Sequence, residues 1–229
     1  MSSYWKTYWN LHVEGVTSDD PFRQVLRVQN KQPFSEELFE KISTHVVETL
    51  DLTDQHLVLD LCCGNGLLSA AVAKHCDRVI GVDFSEKLIQ DIGLRGAANI
   101  TGIASDVLDI RFQPESFDRA LFAAALQHFS QAQVIRLFRD LATWLKPGGK
   151  LLVTDILDHS RIWNFYNSQE REDIYFENEM AETPILGTWF DGLWLEKLAR
   201  HAGFSQAEML MQPGDFLYAH YRFDVLCHK

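Results

Sequence analysis

Leu57-Val58-Leu59-Asp60-Leu61-Cys62-Cys63-Gly64-Asn65-Gly66 is the stretch from which the rest of the chain can be read. Its first five residues are a short apolar run closed by turn formers, the pattern of a parallel-sheet strand covered on both faces. Gly64 and Gly66 lack a Cβ, so the main chain can turn sharply and a ligand can come close to it. Leu67-Leu68-Ser69-Ala70-Ala71-Val72-Ala73 follows with helical composition, and the unpaired N–H groups at its start face the turn. Strand, glycine turn and helix in that order make a cradle for a nucleotide-type cofactor.

Downstream the alternation continues. Arg78–Asp83 reads as a strand with a helix from Ser85, and Ile100–Ala104 as a weaker strand ending at Ser105-Asp106. Phe117–Ala123 makes a fourth, and the helix behind it opens on a capping box, Ser130 with Gln133, and runs to Trp144. Pro147-Gly148-Gly149 is a turn and Lys150–Ile156 a fifth strand. Strands alternating with helices predict an α/β fold, a doubly wound, mostly parallel sheet with right-handed crossovers. Residues 158–189 break the rhythm with Trp163, Phe165, Tyr166, Tyr175, Phe176 and Trp189 and an acidic run from Glu170 to Glu182, and predict an inserted helical lid. Phe190–Ala202 resumes as a helix with Gly203 as its C-cap, and Ala207–Met211 and Tyr221–Cys227 are two closing strands.

Upstream, residues 1–56 read as a helical cap. Tyr4, Trp5, Tyr8 and Trp9 crowd its start, and Ser18-Asp19-Asp20-Pro21 signals a turn. Ser35 is placed to cap a helix whose apolar face is Phe39, Ile42, Val46 and Leu50, with Phe34 expected to staple onto Phe39. The expected organisation is one domain over 1–229: cap 1–56, cofactor-binding core 57–157, lid 158–189, and last helix with closing strands 190–229.

With 46% hydrophobic residues, the 229-residue chain can bury a substantial core. A formal net charge of −11, with no run of lysine or arginine, argues against long-range capture of nucleic acid. Cys62, Cys63, Cys76 and Cys227 show no metal-ligand spacing and suit free thiols in a reducing compartment; no metal is expected. Neither a leader-like apolar segment nor a membrane-length apolar run is read, so the expectation is a soluble cytoplasmic protein.

In an open parallel sheet, ligands bind beyond the carboxyl ends of the strands where the order reverses. Here those ends bring Asp60 with the glycine turn, then Asp83, Asp106, Ala123-Ala124 and Asp155 to one rim. Asp83, about twenty residues past the glycines, suits a carboxylate that accepts from both ribose hydroxyls. The plainer reading is a cap for the helix that follows.

These residues resemble a family. Val58–Gly66 looks like motif I of the class I S-adenosylmethionine-dependent methyltransferases, and Val79-Ile80-Gly81-Val82-Asp83-Phe84-Ser85 like their second motif. Phe117-Asp118 through Leu126-Gln127-His128-Phe129 resembles the fourth-strand motif, and Leu145–Leu151 the turn before strand five. The resemblance covers 57–156 and implies a seven-stranded sheet with one antiparallel edge strand. It implies that Asp60 and the loop Cys62, Cys63, Gly64, Asn65 and Gly66 hold the amino-acid end of S-adenosyl-L-methionine, Asp83 its ribose and Phe84 its adenine face. Asp106 with Val107 would meet the adenine edge, and Ala123 and Ala124 the methionine moiety. Cys62 stands where the family usually has its first glycine, so that position has to tolerate a side chain.

The main rival is an NAD(P)-dependent oxidoreductase, whose fingerprint wants a third glycine where Ser69 stands. A non-catalytic adenosyl-cofactor-binding module is the third reading. For methyl transfer, His128 is the first candidate general base, against a plain structural role, with Asp155 and His159 behind it. Tyr8, Trp9, Trp163, Tyr166 and Trp189 are candidate acceptor-pocket aromatics, each also readable as core. The Asn-Pro-Pro-Tyr type of signature is absent after strand four, where Ala123-Ala124-Ala125 stands. The expected acceptor is therefore a small molecule methylated on O or N, with protein or RNA as the alternative, and the expected state a monomer or homodimer.

Overall fold

The computed structural model describes residues 1, 3–183 and 185–229; Ser2 and Pro184, within the predicted cap and lid, lie outside the described residues. The N-terminal segment consists of α1 (Ser3–Glu14), α2 (Pro21–Gln24), a two-residue hairpin of β1 (Val28–Gln29) and β2 (Gln32–Pro33), and α3 (Glu36–Thr49). The alternating core follows: β3 (Leu57–Leu61), α4 (Leu67–Val72), β4 (Arg78–Asp83), α5 (Glu86–Asp91), β5 (Ile100–Ala104), β6 (Phe117–Ala123), α6 (Gln131–Trp144) and β7 (Leu145–Leu157). Two helices, α7 (Ile162–Phe165) and α8 (Gln169–Met180), lead to α9 (Gly192–Ala202) and the closing strands β8 (Gln206–Met211) and β9 (Arg222–His228).

Seven strands form one sheet in the order β5-β4-β3-β6-β7-β9-β8. The predicted antiparallel strand at that margin is β9, hydrogen-bonded between β7 and the outermost strand β8. The chain enters at β3, winds out to β5 and returns to β6, so the order reverses between β3 and β6, where a ligand crevice opens.

Strand parity explains the two core layers. Leu59, Leu61, Ala120, Phe122, Leu151 and Val153 face α6 and α9, while Val58, Leu121 and Leu152 face Val46 of α3, Leu50 at its C-cap, and Leu68 and Val72 of α4. Asp60 shares the parity of Val58, which delivers its carboxylate to the α4 side of the sheet.

The predicted caps form. Ser35 accepts from the Leu38 amide, Ser130 and Gln133 complete the capping box, and Gly203 ends α9 at φ 107°. Phe34, however, packs on Tyr218, and Phe39 on Phe22, so the expected staple between them is not made. The Pro147-Gly148-Gly149 turn is an excursion inside a longer strand. Phe117 pairs with Leu145 and Arg119 with Lys150, leaving residues 146–149 without a partner on β6. No helix among the described residues is long and apolar enough to cross a membrane.

Candidate active site

Three neighbouring strands end in the left-handed region with side chains that are not glycine: Cys62 after β3 (φ 57°), Ala124 after β6 (φ 53°) and Asp155 in β7 (φ 59°). Such a conformation costs roughly 1–2 kcal/mol per residue, and its concentration on one rim marks a place where geometry is set by the site. Cys62 thus takes the dihedral a glycine would take while keeping its side chain.

Between these strand ends lies a cleft with about 750 Å³ of empty space counted to its open mouth. Of the predicted residues, Asp60, Cys62, Cys63, Gly64, Asn65, Asp83, Phe84, Ala123, Ala124 and His128 all line it. Three do not. Gly66 turns into α4 at φ 76°, its Cα facing Ile92, where a Cβ would come within 2.9 Å of Cγ1. Val107 is buried in the core, and Asp106 is engaged by Lys6. Neither lines the cleft.

Asp60 and Asp83 are buried (2% and 6% exposed) on either side of the glycine turn. Ser69 Oγ donates to Asp60 at 2.6 Å, and the Gly64 and Ser85 amides donate to the two oxygens of Asp83 at 3.1 and 2.9 Å. Among the described residues neither carboxylate has a cationic partner. Burial, with Asp83 adding repulsion, pushes the Asp60 carboxyl up to about 7; burial pushes Asp83 up to about 6 against the amides that hold it down. Two buried acids without a cation form an acceptor set that fits the ammonium, sulfonium and ribose hydroxyls of an adenosyl donor. They do not fit a pyrophosphate. Ser69, which replaces the third glycine of a dinucleotide fingerprint, is spent on Asp60.

Burial also pushes the Cys62 and Cys63 thiols well up, so both are protonated packing groups. The Cys63 sulfur sits where a Cβ on Gly81 would fall, at 2.8 Å, which is why β4 carries glycine there.

The cover over the cleft comes from the N-terminal segment: Trp9, Val25, Arg27 and Phe39 line it, and no described residue of 158–189 does. One tie is made at or just beyond the end of each of five parallel strands. Lys6 Nζ reaches Asp106 at 2.6 Å after β5, and Lys87 Nζ donates to the Val13 carbonyl at 2.6 Å after β4. Asn65 Nδ2 donates to the Pro21 carbonyl at 2.9 Å after β3 and to Gln24 Oε1 at 2.8 Å. Trp9 Nε1 donates to His128 Nε2 at 3.2 Å after β6, and Arg27 Nη1 to Asp155 Oδ2 at 2.8 Å on β7.

His128 is buried against Trp5 and Trp9, with ring centroids at 4.4 and 5.7 Å. Burial and the Arg222 charge push its pKa down to about 3, so it is a neutral imidazole. Asp155 is held below the usual carboxylate range; burial works the other way, but the Arg27 and Arg222 guanidiniums prevail. Gln212 Nε2 bridges Asp155 and Asp224, and His45 closes that network from α3. His159 is exposed, with its amide on the Phe190 carbonyl, and does not line the cleft.

Of the five candidate acceptor aromatics, only Trp9 lines the cleft. Tyr8 and Trp163 are exposed, and Tyr166 and Trp189 pack with Phe165, Tyr175 and Tyr221 into a cluster of their own. Arg27 and Arg222 were missed by sequence reasoning. Arg27 lies in a stretch with no motif. Arg222 did leave a signal: with Asp224 it alternates against Phe223 and Val225, putting two charges on one face of a closing strand that the fold buries.

Residues 58–149 match the family described as a methyltransferase domain. The ubiquinone biosynthesis O-methyltransferase of Coxiella burnetii is 36% identical over 116 residues, 49% of this chain and 48% of that protein. The 2-phytyl-1,4-naphtoquinone methyltransferase of Trichormus variabilis is 32% identical over 105 residues, 42% of this chain and 45% of that one. The chain thus spans about half the length of the curated relatives it matches. The solved S-adenosylmethionine-dependent methyltransferase SibL shares the fold at TM-score 0.63 and 23% identity, over 83% of this chain and 55% of that one. The chain thus carries, over residues 58–149, a region similar to methyltransferase domains, set in a sheet with the fold of a solved S-adenosylmethionine-dependent methyltransferase.

Proposed function

We propose that the protein transfers a methyl group from S-adenosyl-L-methionine to an O or N atom of a small-molecule acceptor by in-line displacement, leaving S-adenosyl-L-homocysteine. The observation that carries this reading is the pair Asp60 and Asp83, buried beside the glycine turn without a cation of their own. Asp60 with the loop Cys62–Gly66 would hold the amino-acid end, Asp83 the ribose and Phe84 the adenine face. Asp106 with Val107 would take the adenine edge, and Ala123-Ala124 the methionine moiety. When bound, the donor supplies a methyl on an activated leaving group. The chain's share is placement and exclusion of water, which can lower a barrier by roughly 7–11 kcal/mol.

The acceptor side is the cleft wall of Trp9, Arg27 and His128. Two relatives, one named for ubiquinone biosynthesis and one for a naphthoquinone, support a small-molecule acceptor, and the net charge of −11 supports a small molecule over nucleic acid. The same reading takes 1–229 as one catalytic domain, with the N-terminal segment, rather than the expected lid 158–189, covering the cleft. It acts as a monomer or homodimer in the cytoplasm, where unpaired thiols persist.

Calorimetry of the purified chain with S-adenosyl-L-methionine and, separately, NAD tests the assignment. Saturable binding of the first and none of the second is expected. Binding of NAD alone would hand the cleft to the oxidoreductase reading.

A further inference from the structure

The imidazole of His128 has an assigned tautomer. An indole N–H can only donate, so the contact from Trp9 Nε1 at 3.2 Å requires His128 Nε2 to present its lone pair. In the neutral ring the proton then sits on Nδ1. That atom is buried and has no hydrogen-bond partner among the described residues. A buried N–H without an acceptor is costly and uncommon, and His128 lines the cleft, so a ligand atom can satisfy it.

Three neighbours decide what kind of atom that is. Arg222, buried on β9 and stacked over the Tyr218 and Tyr221 rings at 5.2 and 5.4 Å, is the charged group that bears on His128. It donates through Nη1 to the Asp155 carbonyl at 2.8 Å, and its Nε is buried without a partner among the described residues. The rings of Trp5 and Trp9, packed on the imidazole from α1, are uncharged. The Arg222 charge, which adds to burial in resisting a second proton on His128, favours negative charge on whatever faces it. The Trp9 contact also polarises the ring, which makes Nδ1–H the stronger donor.

We propose that His128 serves as a hydrogen-bond donor rather than as a base, and that the acceptor is an acidic hydroxyl of the phenol or enol class, held at Nδ1–H as its oxyanion. This rests on the methyltransferase reading and names the acceptor class for the same site. On binding, the hydroxyl proton goes to bulk water. The oxygen's electron pair then forms the O–CH3 bond, while the C–S bond breaks and its pair stays on sulfur. No side chain has to accept a proton at the moment of transfer.

The test uses the full chain saturated with S-adenosyl-L-homocysteine, with 4-nitrophenol as the probe because its ionised form is coloured. Wild type should bind the phenolate and shift the probe's ionisation downward by about one pH unit, a tenfold preference for the anion. His128→Asn places an amide nitrogen near the Nδ1 position and should keep most of the shift. His128→Gln, which places it near Nε2, should lose it, and Trp9→Phe, which removes the tautomer-setting N–H, should reduce it. Homocysteine-product affinity, measured by calorimetry in each variant, reports that the fold and cofactor half are intact. A probe bound as the neutral phenol, an unshifted ionisation, or equal loss in His128→Asn and His128→Gln overturns the donor role. Wild type that takes up the homocysteine product but not the probe overturns the acceptor class. Failure to bind the homocysteine product overturns the methyltransferase reading and this inference with it.

Discussion

The two sides of the switch point differ in charge. On the β3–β5 side the strand ends carry Asp60, Asp83 and Asp106; on the β6–β9 side they carry His128, Asp155 and Arg222, with Arg27 laid across. Asp106 already has Lys6, but Asp60 and Asp83 wait for a cation, since burial holds both partly protonated without one. The acid of the second side already has its cations, and what remains there is a neutral donor in a positive field. On the proposed function, one rim would sort its two substrates by sign: a sulfonium donor on one half, an electron-rich oxygen on the other.

The largest disturbance should come from the second side. Arg27→Met leaves Asp155 buried without its ion-pair partner, a change that costs about 3 kcal/mol, at the low end of the usual range because Gln212 still donates to it. Differential scanning calorimetry should show a melting point lower by ~6–12 °C. A near-native melting point would mean that the two halves are not held apart by charge.

On the first side, Asp83→Ala removes hydrogen bonds to a charged acceptor worth about 1.5–3 kcal/mol each. Cofactor affinity should fall at least ~10-fold by calorimetry. An unchanged dissociation constant would take the ribose role from Asp83.

The halves should also titrate in opposite senses. Asp60 and Asp83 have folded values, about 7 and about 6, above those of the unfolded chain, so the native state binds more protons between roughly pH 4 and 7. Their contribution to stability is present at the acid end of that window and is lost as pH rises through it. Asp155 is depressed, so its contribution is present above the unfolded value and is lost as pH falls through the folded one. Binding of a cationic donor near pH 6.5 should therefore release about one proton, read as a dependence of calorimetric heat on buffer ionisation enthalpy. Heat independent of buffer would show that the ligand does not address these acids.

The smallest effect is expected at Lys6, whose ion pair with Asp106 is 39% exposed on the lysine side. Lys6→Ala should change stability by about 0.2–1 kcal/mol, read from urea midpoints, with the effect shrinking in high salt. A loss of several kcal/mol would make Lys6 a structural keystone.

Much of this was legible in the sequence because the core repeats one rule. Apolar runs closed by Asp, Gly or Ser mark where β3, β4 and β5 stop, and their stops lie on the rim. The N-terminal segment was less legible. The β1–β2 hairpin turns on Asn30 and Lys31 at φ 49° and 65°, without the glycine that would announce it. Aromatics such as Trp9 and Trp163 look alike in sequence, since burial in a cleft and exposure on a helix need the same residue type; only the tertiary arrangement separates them. Arg27 and Arg222 likewise meet Asp155 through contacts 128 and 67 residues apart. No periodicity records such separations.

The five ties of the N-terminal segment bear on any measured binding constant. A ligand that takes the Asp106 carboxylate for itself has to undo a tie first, so its apparent strength is the intrinsic one scaled by the fraction of molecules already open. Every 1.4 kcal/mol by which closure is favoured conceals a factor of ten. Loosening the strap by mutation would therefore make the same pocket look like a better one, with no new contact in it.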